Sequence, residues 1–144
     1  CIRNYKKQGY YIIGMILATF AIGDFIASKL IKPFIGRIRP CNDISLADEI
    51  IKRVPCGSGF SFPSSHATNH FGVATFLFIT LGRYFGKWKY LLFIWAALIC
   101  YAQVYVGVHY PLDVLFGALL GFLIGQFVCW AYQKSDPLNV SHAA

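Results

Sequence analysis

The stretch "GVHYPLDVLFGALLGFLIGQFVCWAY", Gly107–Tyr132, decides the fold. From Pro111 to Tyr132 it carries one charged residue, Asp113, near its start, and no apolar–polar alternation. The hydrocarbon core of a bilayer takes about 20 residues of helix. Backbone groups in lipid must bond within the protein, which leaves helices or closed barrels. A run of this length without alternation selects a helix. Pro111 suits the first turn of that helix. Gly117, Gly121 and Gly125 recur at intervals of four, two overlapping GxxxG patterns that let helices approach closely. Packing inside one bundle is a stronger reading of them than a dimer face.

Three more apolar runs precede this one: about Tyr10 to Leu30, Ala67 to Gly82 with room to extend through Phe85, and Trp88 to Val106. The expectation is an all-α integral membrane helical bundle of four spans, with residues 1–144 as one transmembrane domain. Composition agrees. The chain is 57% hydrophobic and 13% charged, against about 25% charged residues in a soluble domain. Its net charge of +7 would suggest nucleic acid in a soluble protein. Here most of that charge lies between apolar runs, so membrane topology and anionic substrates explain it better, and no nucleic-acid partner is expected. The chain opens on Cys1 and reads as a portion of a longer product. The first apolar run is too long for a signal peptide, and no small-residue cleavage site follows it.

Arg3, Lys6 and Lys7 precede the first run, Arg83, Lys87 and Lys89 lie between the second and third, and Lys134 follows the fourth. The opposite connections hold Lys29, Lys32, Arg37, Arg39, Lys52 and Arg53, but also Asp43, Asp48 and Glu49, whereas the first group is joined only by Asp136. The positive-inside tendency therefore puts the first group in the cytoplasm. Tyr10, Tyr11, Tyr84, Trp88, Tyr90, Trp130 and Tyr132 cluster at the same ends, as an aromatic belt would. With four spans, residues 32–66 and 107–111 face the same side and can meet.

Those regions carry the chemistry. In "KPFIGRIRP", Lys32, Arg37 and Arg39 leave the first span between Pro33 and Pro40. Taken alone this is equally a solvated basic loop. In "FPSSHATNH", Ser64 or Ser65 suits the N-cap of the next helix. The free amides and positive dipole end of such a helix bind phosphate readily. His66 would sit beside an anion held there. His66 and His70 are four apart, but Lys32 and Arg39 would repel a cation and no third ligand is evident, so no metal is expected. In "GVHYPLD", Asp113 lies four residues after His109. A carboxylate bonded to one ring nitrogen fixes the tautomer and leaves the other nitrogen as nucleophile. Together these residues suit phosphoryl transfer to His109, with His66 donating a proton to the leaving oxygen.

This constellation resembles the type 2 phosphatidic acid phosphatase (PAP2) superfamily, membrane lipid phosphatases related to glucose-6-phosphatase and the vanadium haloperoxidases. The family motifs read K-x6-R-P, P-S-G-H and S-R-x5-H-x3-D. This sequence supplies Lys32, Arg39 and Pro40 for the first, then Pro63, Ser64, Ser65 and His66 for the second, with Ser65 in place of glycine. His109 and Asp113 match the third, where Ala102 and Gln103 replace serine and arginine. The first two motifs fall in an outer loop, residues 32–65. The resemblance implies a phosphohistidine on His109, Asp113 orienting it, His66 as acid, and Lys32, Arg39, Ser64, Ser65 and Gln103 around the phosphate. It also implies hydrolysis by water with no cofactor. The family commonly has six spans, which leaves room for two ahead of Cys1.

Gln103 keeps a hydrogen-bond donor and loses a fixed charge and a bidentate fork. The expected cost is about 1–2 kcal/mol, roughly tenfold in binding or rate. Arg37 is a candidate to compensate. Asp24, inside the first span, is a candidate for site support, or else bonds Ser28 or another helix. An outer location permits a Cys41–Cys56 disulfide, which would close the loop between two motifs. The reading is a metal-independent phosphatase acting on a membrane lipid phosphate or isoprenyl diphosphate, at the outer face of a bacterial cytoplasmic membrane. Its partners are that lipid and the bilayer. A non-catalytic lipid-phosphate binder and a vanadate-dependent oxidase are the rival classes.

Overall fold

The computed structural model describes residues 2–46, 49–51 and 53–135, with residues 2–7 as backbone only. Asp48, Lys52, Asp136 and the side chains of Arg3, Lys6 and Lys7 therefore lie outside the described residues. Every regular element among the described residues is helical. Helix α1 (Ile2–Asp24) runs directly into a π-helical segment (Phe25–Ile31) and a short α2 (Lys32–Ile35). Gly36, with a φ of 65° that suits glycine, ends this continuous rod and donates its N–H to Lys32 O at 3.0 Å. A loop with two 3-10 turns, Pro40–Asn42 and Ile44–Leu46, leads to α3 (Ser65–Phe85). A 3-10 turn (Gly86–Tyr90) joins α3 to α4 (Leu91–Tyr105), and α5 (Pro111–Ser135) follows.

Three helical stretches are long and apolar enough to cross a membrane: Gln8–Ile35, Ser65–Tyr105 and Pro111–Ser135. The middle one is bent back on itself at Gly86–Tyr90. Phe78 meets Tyr90 at 5.6 Å between ring centroids and Phe93 at 5.3 Å, while the earlier His70 meets the later Trp95 at 4.6 Å. Helices α3 and α4 are thus antiparallel neighbours. Helix α4 has 15 residues, fewer than the sequence run suggests, because the 3-10 turn takes its first residues.

Helices α3 and α5 form the most extensive contact. The glycines explain it. A Cβ on Gly121 would lie 2.2 Å from Thr68 O, and one on Gly125 would lie 2.5 Å from Gly72 O. The GxxxG repeat therefore seats α5 directly on the α3 backbone, inside the bundle. Phe76, Ile124, Val128, Cys129 and Tyr132 form the buried core, with Met15 and Ile16 of α1 packed against it. Tyr132 is buried there and stacks on Tyr11 at 5.4 Å. These two tyrosines serve the core, contrary to their expected place in an outward belt, because the ends of α1 and α5 meet at that level. The outer surface is apolar, with Leu17, Leu98 and Leu119 exposed.

Candidate active site

Four segments converge at the end of the bundle opposite the Gly86–Tyr90 turn. The α4–α5 connection is short. Gly107 has a φ of 76°, a conformation open to glycine, and a Cβ there would lie 2.9 Å from Ile50 Cγ2. This turn lets the N–H groups of Val108 and His109 donate to Gln103 O at 3.2 and 3.3 Å. The backbone of Gln103 thus fixes His109 just ahead of α5, where the histidine is almost wholly buried.

Asp113 lies in the first turn of α5 and is fully buried. Arg37 Nη1 donates to its Oδ1 at 2.8 Å. The Ser61 hydroxyl and the Tyr110 N–H, the latter at 2.9 Å, donate to its Oδ2. His109 Nδ1 stands 3.6 Å from the same oxygen and 3.4 Å from Ser61 Oγ. Ser61 has a single hydroxyl hydrogen, already directed to Asp113, so toward His109 its oxygen can only accept. That requires the hydrogen on Nδ1 and leaves the lone pair on Nε2. Burial pushes the His109 pKa down to about 4, and the charges of Arg39 and Lys32 act in the same direction while Asp113 opposes them. The ring is therefore neutral at neutral pH.

The start of α3 is tied to the start of α5, since Ser64 N–H donates to Asp113 O at 2.9 Å. Ser64 is the N-cap, with its buried hydroxyl accepting from Ala67 N at 3.4 Å. Ser65 turns the other way and bonds Ser28 Oγ at 2.9 Å, and Ser28 in turn donates to Asp24 Oδ1 at 3.0 Å. Asp24 thus bonds Ser28, and Ser28 links it to Ser65 in the first turn of α3. The π-helical segment carries Ser28, and such wide turns often mark functional sites. His66 is exposed in the same first turn, its ring centroid 6.5 Å from that of His70. Among the described residues no group of three His, Cys, Asp or Glu side chains could hold a metal ion. Arg39 reaches Gly59 O at 3.3 Å and Val108 O at 3.5 Å, and the sulfurs of Cys41 and Cys56 are bonded.

Ser61 was not legible as a site residue. It is one hydroxyl in an extended loop, and only the fold brings it to Asp113. Arg37 differs from its expected use. It pairs with Asp113 and lies 4.0 Å over the Tyr110 ring, so it neutralises a buried carboxylate in place of standing in for a cation at position 103.

Fold and site together define an integral membrane helical bundle with a buried histidine–carboxylate pair beside an anion-suited helix start. The chain belongs to the PAP2 superfamily, whose family profile matches residues 9–137. It is 33% identical over 141 residues to the lipid A 4'-phosphatase of Porphyromonas gingivalis, a match covering 94% of this chain and 58% of that protein. It is 34% identical over 128 residues to the undecaprenyl-diphosphatase of Sulfolobus acidocaldarius, covering 88% of this chain and 58% of that protein. The crystal structure of a transmembrane PAP2-type phosphatidylglycerolphosphate phosphatase from Bacillus subtilis superposes with a TM-score of 0.62 at 31% identity, covering 85% of this chain and 60% of that one. The chain thus spans a little over half the length of these relatives.

Proposed function

We propose that this chain is the catalytic portion of a metal-independent lipid phosphatase. The observation that carries the reading is the buried cluster of His109, Ser61 and Asp113, capped by the half-buried Arg37, at the same bundle end as His66, Lys32 and Arg39. His109 Nε2 attacks phosphorus, and the bond from phosphorus to the lipid oxygen breaks. Protonated His66 gives its proton to that leaving oxygen. Water then attacks the phosphohistidine, neutral His66 takes the water's proton, and inorganic phosphate leaves as the P–N bond breaks. Ser61 and Asp113 hold Nδ1–H and stabilise the positive ring that forms. Lys32, Arg39, Gln103 and the first amides of α3 bind the phosphate, with Ser64 and Ser65 shaping that helix start.

The proposed topology has four crossings, α3 and α4 counting separately because of their bend. Arg83, Lys87, Lys89 and Lys134 mark the cytoplasmic end. The disulfide at the other end suits an oxidising compartment, which supports an outward-facing site. The substrate is an amphiphile whose phosphate reaches the interface while its tail stays in lipid: phosphatidic acid, phosphatidylglycerol phosphate, undecaprenyl diphosphate or a lipid A. The relatives named above are phosphatases of three of these, lipid A, undecaprenyl diphosphate and phosphatidylglycerol phosphate. A non-catalytic lipid-phosphate binder is the second reading, favoured by Gln103 alone.

The test is phosphate release from short-chain lipid phosphates in detergent with EDTA present. Release should persist in EDTA and fall by at least about a thousandfold in His109→Ala. Full release by His109→Ala would sink the mechanism.

A further inference from the structure

We infer that the Cys41–Cys56 disulfide is a positioning device for Arg39, so that the redox state of this bond sets phosphate affinity. The inference rests on the reading of Arg39 as a phosphate ligand. Arg39, Pro40 and Cys41 are consecutive, and the disulfide joins Cys41 to Cys56 with their Cα atoms 5.9 Å apart. The next residue, Gly57, is thereby brought against the arginine. A Cβ on Gly57 would sit 3.8 Å from Arg39 Cζ and 3.9 and 4.0 Å from its two terminal nitrogens. Two residues on, Gly59 O accepts from Arg39 Nε at 3.3 Å.

On its other side the guanidinium reaches Val108 O at 3.5 Å, next to His109. Cys41 is itself fastened there, since its N–H donates to Gly107 O at 3.1 Å and it is 2% exposed. Arg39 is therefore held between a wall at 107–108, built on the bundle, and a wall at 57–59, built on loop.

The loop wall has few other anchors. Ser61 N–H donates to Arg37 O at 2.7 Å and fixes one end. Among the described residues from Arg53 to Phe60, no backbone N–H makes a backbone hydrogen bond. Gly57 and Gly59 are the residue type with the most backbone freedom to lose. Arg53 lies 4.6 Å over the Tyr105 ring, but it is exposed, and such a contact contributes little. The disulfide is thus the principal tether at the Cys56 end. When it is reduced, Gly57–Gly59 can move away, and Arg39 loses its carbonyl partner and its packing on that side. Phosphate binding then has to order the side chain first.

The experiment compares purified protein, oxidised and after TCEP reduction, with the Cys41→Ser/Cys56→Ser double variant. KM and kcat for a short-chain lipid monophosphate are measured together with the affinity for inorganic phosphate by calorimetry. Loosening one charge-assisted ligand should raise KM and the phosphate Kd by about tenfold while kcat stays within about twofold. Reoxidation should restore both values, and the double variant should ignore TCEP. In an Arg39→Gln background, reduction should change phosphate Kd no further, which a general loosening of the loop would not produce. Unchanged KM and Kd in protein whose two thiols are fully labelled would overturn the inference, whatever happens to Tm. Should the double variant not fold, the reduced native chain carries the test. If the oxidised protein binds phosphate but hydrolyses nothing, the phosphatase reading fails, and the calorimetry still decides the role of the disulfide.

Discussion

Ser61→Ala isolates the one site residue that the sequence does not announce. The hydroxyl donates to the Asp113 carboxylate and accepts from His109 Nδ1 at 3.4 Å. A hydrogen bond to a charged group contributes about 1.5–3 kcal/mol. Asp113 keeps Arg37 at 2.8 Å and the Tyr110 N–H at 2.9 Å, so its charge is not stranded. His109 Nδ1, at 3.6 Å from Asp113 Oδ2, lies just beyond ordinary hydrogen-bond range and would have to move to bond it directly. The expected loss is therefore the lower half of that span, about 1.5–2 kcal/mol. It should fall on the step that builds positive charge on the ring, lowering kcat roughly tenfold to thirtyfold. KM should hardly move, because Ser61 does not touch the phosphate ligands' charges. The assay is steady-state phosphate release at saturating short-chain substrate, paired with acid-labile phosphoenzyme formed in the first turnover. Ser61→Thr, which can keep the hydroxyl, should recover part of the rate. A Ser61→Ala enzyme with unchanged kcat and a reduced Tm would show that the hydroxyl only supports the fold.

The other expected outcomes concern pH, charge and packing. The His109 pKa is lowered to about 4, so the acid limb of kcat/KM should lie well below the usual histidine value. Arg39→Gln removes a charge that lowers it, so protonation becomes easier and the limb should move to higher pH; an unmoved limb would separate it from His109. Gln103→Arg should lower KM or raise kcat by about tenfold, for a gain of roughly 1–2 kcal/mol. An inactive native chain revived by that change would instead mark a binder. Gly121→Ala puts a methyl group 2.2 Å from Thr68 O and should destabilise the bundle by at least about 2 kcal/mol, read as Tm in detergent. Gly14→Ala, with nothing within 4 Å of its new Cβ, should be neutral or slightly stabilising.

The helices were legible because a membrane leaves the chain few alternatives. Long apolar runs without alternation can satisfy their backbone only internally, and Pro111 and Ser64 start their helices through properties of the residues themselves. Other features depend on neighbours distant in sequence. The glycine spacing of Gly117, Gly121 and Gly125 announces a close approach but not its partner, which is the backbone of Thr68 and Gly72. The π-helical segment from Phe25 to Ile31 has no compositional mark, since its residues would suit an α-helix equally. Tyr11 and Tyr132 have the amphipathic character of belt residues, and only the convergence of α1 and α5 buries them. In the site, His109 and Asp113 were legible as a pair one turn apart. Ser61 comes from 52 residues earlier than Asp113, and Arg37 from 76 earlier, so both depend on the loop fold.

The placement of Arg37 also changes what Gln103 means. Asp113 is fully buried, and an unpaired carboxylate there would be costly. Arg37 supplies the compensating charge, so guanidinium and carboxylate together are neutral. On the proposed function, the charge left for a phosphate comes from Lys32 and Arg39, with His66 adding a proton as the acid. Two fixed positive charges match a phosphate monoester dianion. An arginine at position 103 would make three, and the added charge would be felt most where negative charge is greatest, in the transition state or on a diphosphate end group. The glutamine is thus more than a missing cation awaiting a substitute nearby. On the same proposal it would leave the ground state of a monoester nearly balanced, and the comparison of monophosphate with diphosphate substrates in Gln103→Arg would measure directly how the pocket distributes its charge.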